Sequence, residues 1–169
     1  MKVHLGILVA ILGFCSCSHP GKEDSTPNGV VVKVLKISLP EDEDKRGGFL
    51  VSAFMNKPEE RKFDLYTTEN WKSNFTAFAE ALVQRAADQK LDSASLRSVL
   101  DLVLKDSQDK IAYLPVGAYQ ATLAGKPVWI VTVKWEYPNT GMGTLRLVHI
   151  RAFAFDQKTL KKVAFMTCG

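Results

Sequence analysis

Apolar and polar positions divide the chain into three stretches. Residues 5–14 are uncharged and mostly apolar, residues 18–29 contain no large apolar side chain, and from residue 30 onward apolar positions recur with the periods of strands and helices. An apolar run of this length fits the core of a secretory signal, which takes about 7–15 residues, and is too short to span a bilayer, which takes about 20. The polar stretch cannot bury enough surface to fold, so we predict a flexible tether.

The next part of the chain has the pattern of strands separated by a charged loop. Residues 30–39 are rich in Val, Leu and Ile, which favours a strand. Residues 40–48 are charged and end in two glycines, which predicts a loop, and the apolar run 49–55 predicts a second strand. A short third strand is predicted at 62–66.

Two amphipathic helices are predicted to follow. The first is expected to be capped by Thr67 or Thr68, and the second by Asp92 or Ser93. Their apolar stripes recur at spacings of three and four residues: Trp71, Phe75, Phe78, Leu82 and Ala86 in the first, and Leu96, Val99, Leu100 and Val103 in the second. The short connection between them predicts a helical hairpin.

From residue 116 the apolar period changes to two, which predicts strands. Strands at 118–123 and 128–135 flank a turn at 124–127, a long central strand covers 144–155, and a last strand covers 160–167. The whole predicts an α+β domain in which a helical hairpin packs on one face of a mainly antiparallel sheet.

The segments "GKPVWIVTVKWE" and "HIRAFAFDQKTLKKV" carry a resemblance in pattern to one group of folds. Over roughly the last third of the chain they resemble cystatin-like folds of the PepSY or nuclear-transport-factor-like kind. The resemblance implies a curled sheet that wraps a helix, and it implies nothing about activity.

The end of the apolar leader resembles the lipobox of bacterial lipoproteins. It reads Gly13-Phe14-Cys15-Ser16-Cys17. The resemblance implies that Cys17 accepts the lipid, a palmitate-type anchor, and that the protein sits in the bacterial cell envelope on its membrane. The chain then divides into a signal peptide at 1–16, a tether at 17–29 and one domain at 30–169.

A second processing route stays open. The small residues Ser16 and Ser18 also fit cleavage after Ser18 by an ordinary signal peptidase, which would release a secreted or periplasmic soluble protein. A redox role for the pair of cysteines is excluded, because no βαβ pattern surrounds them.

Charge is uneven along the chain. Residues 111–169 hold seven Lys and Arg against two Asp and Glu, a net +5. A basic half of this kind fits anionic headgroups, a glycan or an acidic protein partner, although a solvated basic sheet face has the same composition. No nucleic-acid partner is predicted.

Candidate catalytic chemistry is sparse. The chain contains no G-x-S-x-G, H-E-x-x-H or Gly-rich phosphate loop, and the predicted domain holds only one histidine, which is too few for a zinc site without several carboxylates. No metal or cofactor is therefore predicted. His149 and Cys168 remain as a candidate base and thiol, against the simpler interpretation of a packed histidine and a free terminal cysteine.

The aromatic residues of the C-terminal part are the other candidates. Trp129 and Trp135 share a strand face and are expected in the core rather than on a stacking surface. Tyr137 lies beyond that strand and is expected to be exposed. Arg151 shares a face with His149, so Tyr137 and Arg151 are the candidate binding residues.

These observations predict a lipid-anchored cell-envelope protein that acts as a non-catalytic binding or assembly module. The alternatives are a periplasmic carrier of a small apolar ligand held between helices and sheet, and an envelope thiol enzyme or hydrolase that uses His149 and Cys168.

Overall fold

The computed structural model describes residues 29–54, 66–67, 70–108, 110–137, 144–145 and 149–168. The predicted signal and tether, with Cys15 and Cys17, lie outside the described residues. The helices are α1 (Glu43–Phe54), α2 (Trp71–Asp88) and α3 (Ser93–Asp106). The strands are β1 (Val31–Leu39), β2 (Tyr66–Thr67), β3 (Ala112–Leu123), β4 (Lys126–Glu136), β5 (Thr144–Leu145), β6 (His149–Asp156) and β7 (Lys162–Cys168).

Five of the strands form one mixed sheet in the order β1-β3-β4-β6-β7. Strand β1 runs parallel to β3, and the four strands β3, β4, β6 and β7 form the antiparallel meander that the alternating pattern predicts. The two short strands β2 and β5 pair separately. The α+β class and the mainly antiparallel sheet are confirmed.

The helical hairpin of α2 and α3 packs on one sheet face, as predicted. Every member of the two predicted stripes is buried, and these residues form one apolar cluster with Trp129, Val131 and Val133 of β4. Asp92 caps α3, because its carboxylate accepts a hydrogen bond from the Ser95 amide at 3.0 Å. The spacing of apolar residues therefore identified both helices and the face that each buries.

The predicted loop at 40–48 and strand at 49–55 are wrong, because most of this segment is the helix α1. The Asp42 carboxylate accepts a hydrogen bond from the Asp44 amide at 3.1 Å, and the acidic residues Glu43 and Asp44 occupy the first turn, where the helix dipole favours them. Leu50 and Phe54, four residues apart, are buried. They pack in a second apolar cluster with Tyr119 and Ile130, so α1 covers the opposite face of the sheet.

Both faces of the sheet are therefore covered. The odd-numbered residues 129–133 of β4 belong to the cluster under α2 and α3, while Val128 and Ile130 belong to the cluster beside α1. The predicted parity of β4 is confirmed.

Three boundaries differ from their predictions. Asn70 occupies the N-cap position of α2, and Thr67 lies in β2 rather than at a cap, while Thr68 is outside the described residues. The β3–β4 turn is two residues long, with positive φ at Ala124 and Gly125, and Lys126 already belongs to β4. The predicted strand 144–155 is described in two parts, β5 and β6, with residues 146–148 outside the described residues.

Polar side chains bind backbone carbonyls at the two outermost strands. Arg85 of α2 donates to the carbonyl of Val30, just before β1, and Gln89, just after α2, donates to that of Val32 in β1 at 3.1 Å. The Arg46 Nη1 donates to the Val163 carbonyl of β7 at 3.1 Å, and its Nε to the Pro40 carbonyl at 2.9 Å. These bonds fasten α2 to β1 and α1 to β7.

Two glycines permit close packing. A Cβ on Gly117 would lie 2.6 Å from the Thr132 Oγ1 and 2.7 Å from the ring of Tyr119. A Cβ on Gly47 would lie 3.3 Å from the Phe165 carbonyl, so this glycine lets α1 approach β7.

Candidate functional site

The register of the sheet brings polar and aromatic side chains together at the end of the face that α2 and α3 cover. Trp135 is paired with His149 and with Tyr113, and Arg151 is paired with Thr167. With Asp106, the last residue of α3, and with Glu136, Tyr137, Lys162 and Phe165, these residues form what we call the cation–aromatic cluster.

Arg151 is the centre of the cation–aromatic cluster. Its guanidinium carbon lies 4.2 Å from the centroid of the Trp135 ring system and 5.5 Å from that of Tyr113. The Nε donates to the Thr167 hydroxyl at 3.2 Å, and the Nη1 donates to the Tyr113 hydroxyl. Two hydroxyls and a stacked ring thus fix the plane of the guanidinium, although neither hydroxyl carries a charge to neutralise it.

Tyr113 links Arg151 to the end of α3. Its hydroxyl donates to the Asp106 Oδ2 at 3.2 Å, and the Lys162 Nζ lies 3.1 Å from the Asp106 Oδ1. Burial raises the pKa of the Tyr113 phenol, and the hydrogen bond from Arg151 opposes that rise. Because a raised pKa keeps the phenol protonated, it donates to Asp106 while it accepts from Arg151.

Trp135 is held between rings and a cation. The His149 ring centroid lies 4.9 Å from that of Trp135, and Tyr137 makes an edge contact with it at 5.6 Å. The His149 Nε2 lies 3.6 Å from the Glu136 Oε2. Trp135 is 8 % exposed, and its indole Nε1 has no hydrogen-bond partner among the described residues.

Phe165 and Tyr137 form the exposed edges of the cluster. Tyr137 is 54 % exposed and Phe165 is 40 % exposed. The Phe165 centroid lies 5.9 Å from the Arg151 guanidinium and 5.5 Å from the Lys162 ammonium, so two cations flank one exposed ring.

The predicted candidates do not all lie at one site. His149 and Arg151 lie on one face of β6 and both contact Trp135, as their parity predicts, and Tyr137 is exposed, as expected. The backbone of Cys168 pairs with Ile150 and not with His149. Cys17 lies outside the described residues.

Sequence reasoning missed six members of the cluster: Asp106, Tyr113, Glu136, Lys162, Phe165 and Thr167. They come from the end of α3 and from the strands β3, β4 and β7, so only the pairing of the strands brings them to β6. The available signal was the alternation of β7, which puts Phe165 and Thr167 on the same face.

Two of the grooves at the surface of the described residues bear on the candidate functions. One lies between α1 and β7, has a volume of about 360 Å³, and includes Lys162 and Phe165 of the cluster in its lining. The other lies between α2 and α3 and has a volume of about 60 Å³, well below the range of about 300–1,000 Å³ typical of ligand pockets. A carrier would hold its apolar ligand between the helices and the sheet, where Trp129 and Phe78 are packed inside the apolar cluster of that face.

Within the described ranges, no three His, Cys, Asp or Glu side chains gather as a metal-binding group. None of the described helices is long and apolar enough to cross a membrane. Comparison with protein-family models, with curated proteins and with solved structures found no match to this chain.

Proposed function

We propose that this protein is a lipid-anchored component of the bacterial cell envelope whose folded part binds a ligand or partner without transforming it. The cation–aromatic cluster is the proposed contact surface. The observation that carries the proposal is the half-buried Arg151, which is stacked on Trp135 and bonded only to neutral hydroxyls among the described residues.

The arrangement supports binding for an energetic reason. Ordering a long side chain costs conformational entropy, and here stacking and two hydrogen bonds have ordered Arg151 before any ligand arrives. A preorganised guanidinium beside exposed aromatic rings is a common composition of binding hot spots. The lipobox-like segment at Cys17 supports the envelope location, and the basic balance of residues 111–169 supports an anionic or acidic partner.

Palmitate labelling tests the anchor. Bacteria that express the wild-type chain are expected to incorporate radioactive palmitate into it, and the Cys17→Ser variant is expected to lose the label. Cys15→Ser is the matched control and should label normally. Equal labelling of wild type and Cys17→Ser, or no labelling of either, would overturn the anchoring proposal.

Site-specific photo-crosslinking in cells tests the contact surface. A crosslinker at Tyr137 is expected to form an adduct that disappears in the Arg151→Gln background. A crosslinker at Asp101, exposed on the outer side of α3, is the control and should form no such adduct. Adducts that are the same at both positions, or that do not depend on Arg151, would contradict the proposal.

A further inference from the structure

We propose that Arg151 and Lys162 together bind an oxyanion that is carried on an apolar group, and that the apolar group lies against the ring of Phe165. This inference rests on the proposed binding function and names the chemistry of the ligand. The oxyanion is a carboxylate or a phosphate.

The first argument is the balance of hydrogen-bond donors and acceptors. The acceptor oxygens of the cluster are engaged: Asp106 accepts from Tyr113 and Lys162, Glu136 accepts from the Tyr137 amide at 2.9 Å and faces His149, and Thr167 accepts from Arg151. A guanidinium has five N–H donors, and Arg151 uses two of them within the described part of the chain. The Trp135 Nε1 is a further donor without a partner there. The cluster thus has donors in excess, which an anionic acceptor complements.

The second argument is the position of Phe165. Its exposed ring lies near both cations, at 5.9 Å from Arg151 and 5.5 Å from Lys162. A group that covers this ring removes apolar surface from water while it stays within reach of both charges. An anion attached to an apolar group therefore gains more here than a bare anion does.

The third argument is that the neighbouring groove of about 360 Å³ between α1 and β7 is unsuited to the ligand. The Phe165 ring packs on Phe153, on the face that α2 and α3 cover, while Val163 and Ala164 belong to the cluster beside α1. Glu43 and Asp44 line this groove, and their carboxylates repel an anion. The oxyanion and its apolar group are thus expected at Arg151 and Phe165, outside the groove.

The test uses the full-length chain and follows the ¹⁵N–¹H resonance of the Trp135 indole, which lies under the Arg151 guanidinium. Benzoate is the probe for a carboxylate on an apolar ring, benzyl alcohol is its uncharged control, and inorganic phosphate is the bare oxyanion. Benzoate is expected to shift this resonance saturably, phosphate to bind more weakly, and benzyl alcohol to have no effect.

Matched variants connect binding to the named residues. Loss of a hydrogen bond to a charged group lowers affinity about tenfold or more, which is the expectation for Arg151→Gln. Lys162→Gln is expected to lower it about threefold, because its charge is exposed and shared with Asp106. Phe165→Ser should weaken benzoate but not phosphate, and Arg97→Gln, an exposed arginine on α3, should change neither.

Several results would overturn the proposal. They are equal binding of benzoate and benzyl alcohol, binding that persists in Arg151→Gln, and the absence of any shift at saturating benzoate. Arg151→Lys is the control for misfolding, because it keeps the positive charge. It should retain part of the affinity for benzoate, although it loses the planar guanidinium that stacks on Trp135.

Vesicles distinguish the two sources of the oxyanion. Phosphatidylglycerol vesicles that shift the resonance, where phosphatidylcholine vesicles do not, identify a lipid headgroup, while benzoate binding without vesicle binding identifies a soluble ligand. Failure of this inference is separable from failure of the proposed function. No shift with any probe, together with an Arg151-dependent adduct at Tyr137, overturns the ligand class alone. A benzoate shift without that adduct overturns the proposed contact surface at Tyr137 and leaves the ligand class standing.

Discussion

Trp129 and Trp135 lie on the same face of β4, six residues apart, in two different environments. Trp129 is fully buried, and its Nε1 donates to the Ser95 hydroxyl of α3 at 2.9 Å. Trp135 is covered by Arg151 and His149 of the neighbouring strand β6, and its Nε1 has no partner among the described residues.

The difference shows that helix α3, and not the alternating pattern of β4, determines which of the two tryptophans is fully buried. Helix α3 runs over Trp129 and ends at Asp106, where the cation–aromatic cluster begins. An alternating strand presents an apolar position at both tryptophans. What differs is whether a helix or a set of charged side chains completes the packing.

The largest effect is expected at the helix-covered end. Trp129→Ala should lower the free energy of unfolding by about 3–5 kcal/mol, because it leaves a cavity and removes a buried hydrogen bond. Trp135→Ala should cost about 2–3 kcal/mol, since the space it leaves opens toward solvent and Arg151 can move into it. Urea unfolding measures both, and equal losses would show that the two ends do not differ.

A double-mutant cycle measures the hydrogen bond between Trp129 and Ser95, which has no counterpart at Trp135 among the described residues. Ser95→Ala leaves the Trp129 Nε1 without its acceptor and should cost about 1–2 kcal/mol. In the Trp129→Phe background the same substitution should cost much less, because no buried donor remains. Equal costs in the two backgrounds would mean that the indole bond contributes nothing to stability.

The cluster end should show an alkaline pH dependence that comes from Tyr113. Burial raises the pKa of Tyr113, so the folded state favours the protonated phenol. Its contribution, about 1 kcal/mol for the phenol hydrogen bonds, is fully present below the unfolded tyrosine value of about 10 and is lost as the pH rises through the raised folded value. The difference in unfolding free energy between wild type and Tyr113→Phe should therefore shrink above pH 10. A difference that stays constant would contradict this.

The smallest effect is expected at an exposed ion pair on the outside of the helices. Arg97 binds Glu80 with both carboxylate oxygens, at 2.7 Å for one of them, and this contact lowers the pKa of Glu80. Solvent screens such a pair, so Arg97→Gln should leave the urea midpoint at pH 7 nearly unchanged. The stability that the ion pair contributes is present above the pKa of a glutamate in the unfolded chain. It is lost as the pH falls through the lowered pKa of Glu80 in the folded state. A large shift of the midpoint at pH 7 would refute this.

Most of the sheet and the helical hairpin were predictable because their apolar residues keep a clear period. The segment around α1 was not, because Gly47 and Gly48 disfavour a helix and the run 49–55 looks like a strand. Gly47 is explained only by its distance to the Phe165 carbonyl, which depends on tertiary packing.

The candidate site was predictable only within one strand. The alternation of side chains along the strand predicted that His149 and Arg151 share a face. The place of Tyr137 after the end of a strand predicted that it is exposed. The contacts of Arg151 with Tyr113 and Thr167 depend on the pairing of β3, β4, β6 and β7, which the period of a single strand does not specify.

The side chains that bind the outer strands have a consequence for self-association. A second copy of the chain would extend this sheet by bonding to the free carbonyls of its outermost strands, which is how ordered aggregates grow. Gln89 already occupies one such carbonyl on β1, Arg85 occupies that of Val30 just before β1, and Arg46 occupies one on β7. An added strand must first displace these side chains, so pairing at these positions costs the bonds that they make.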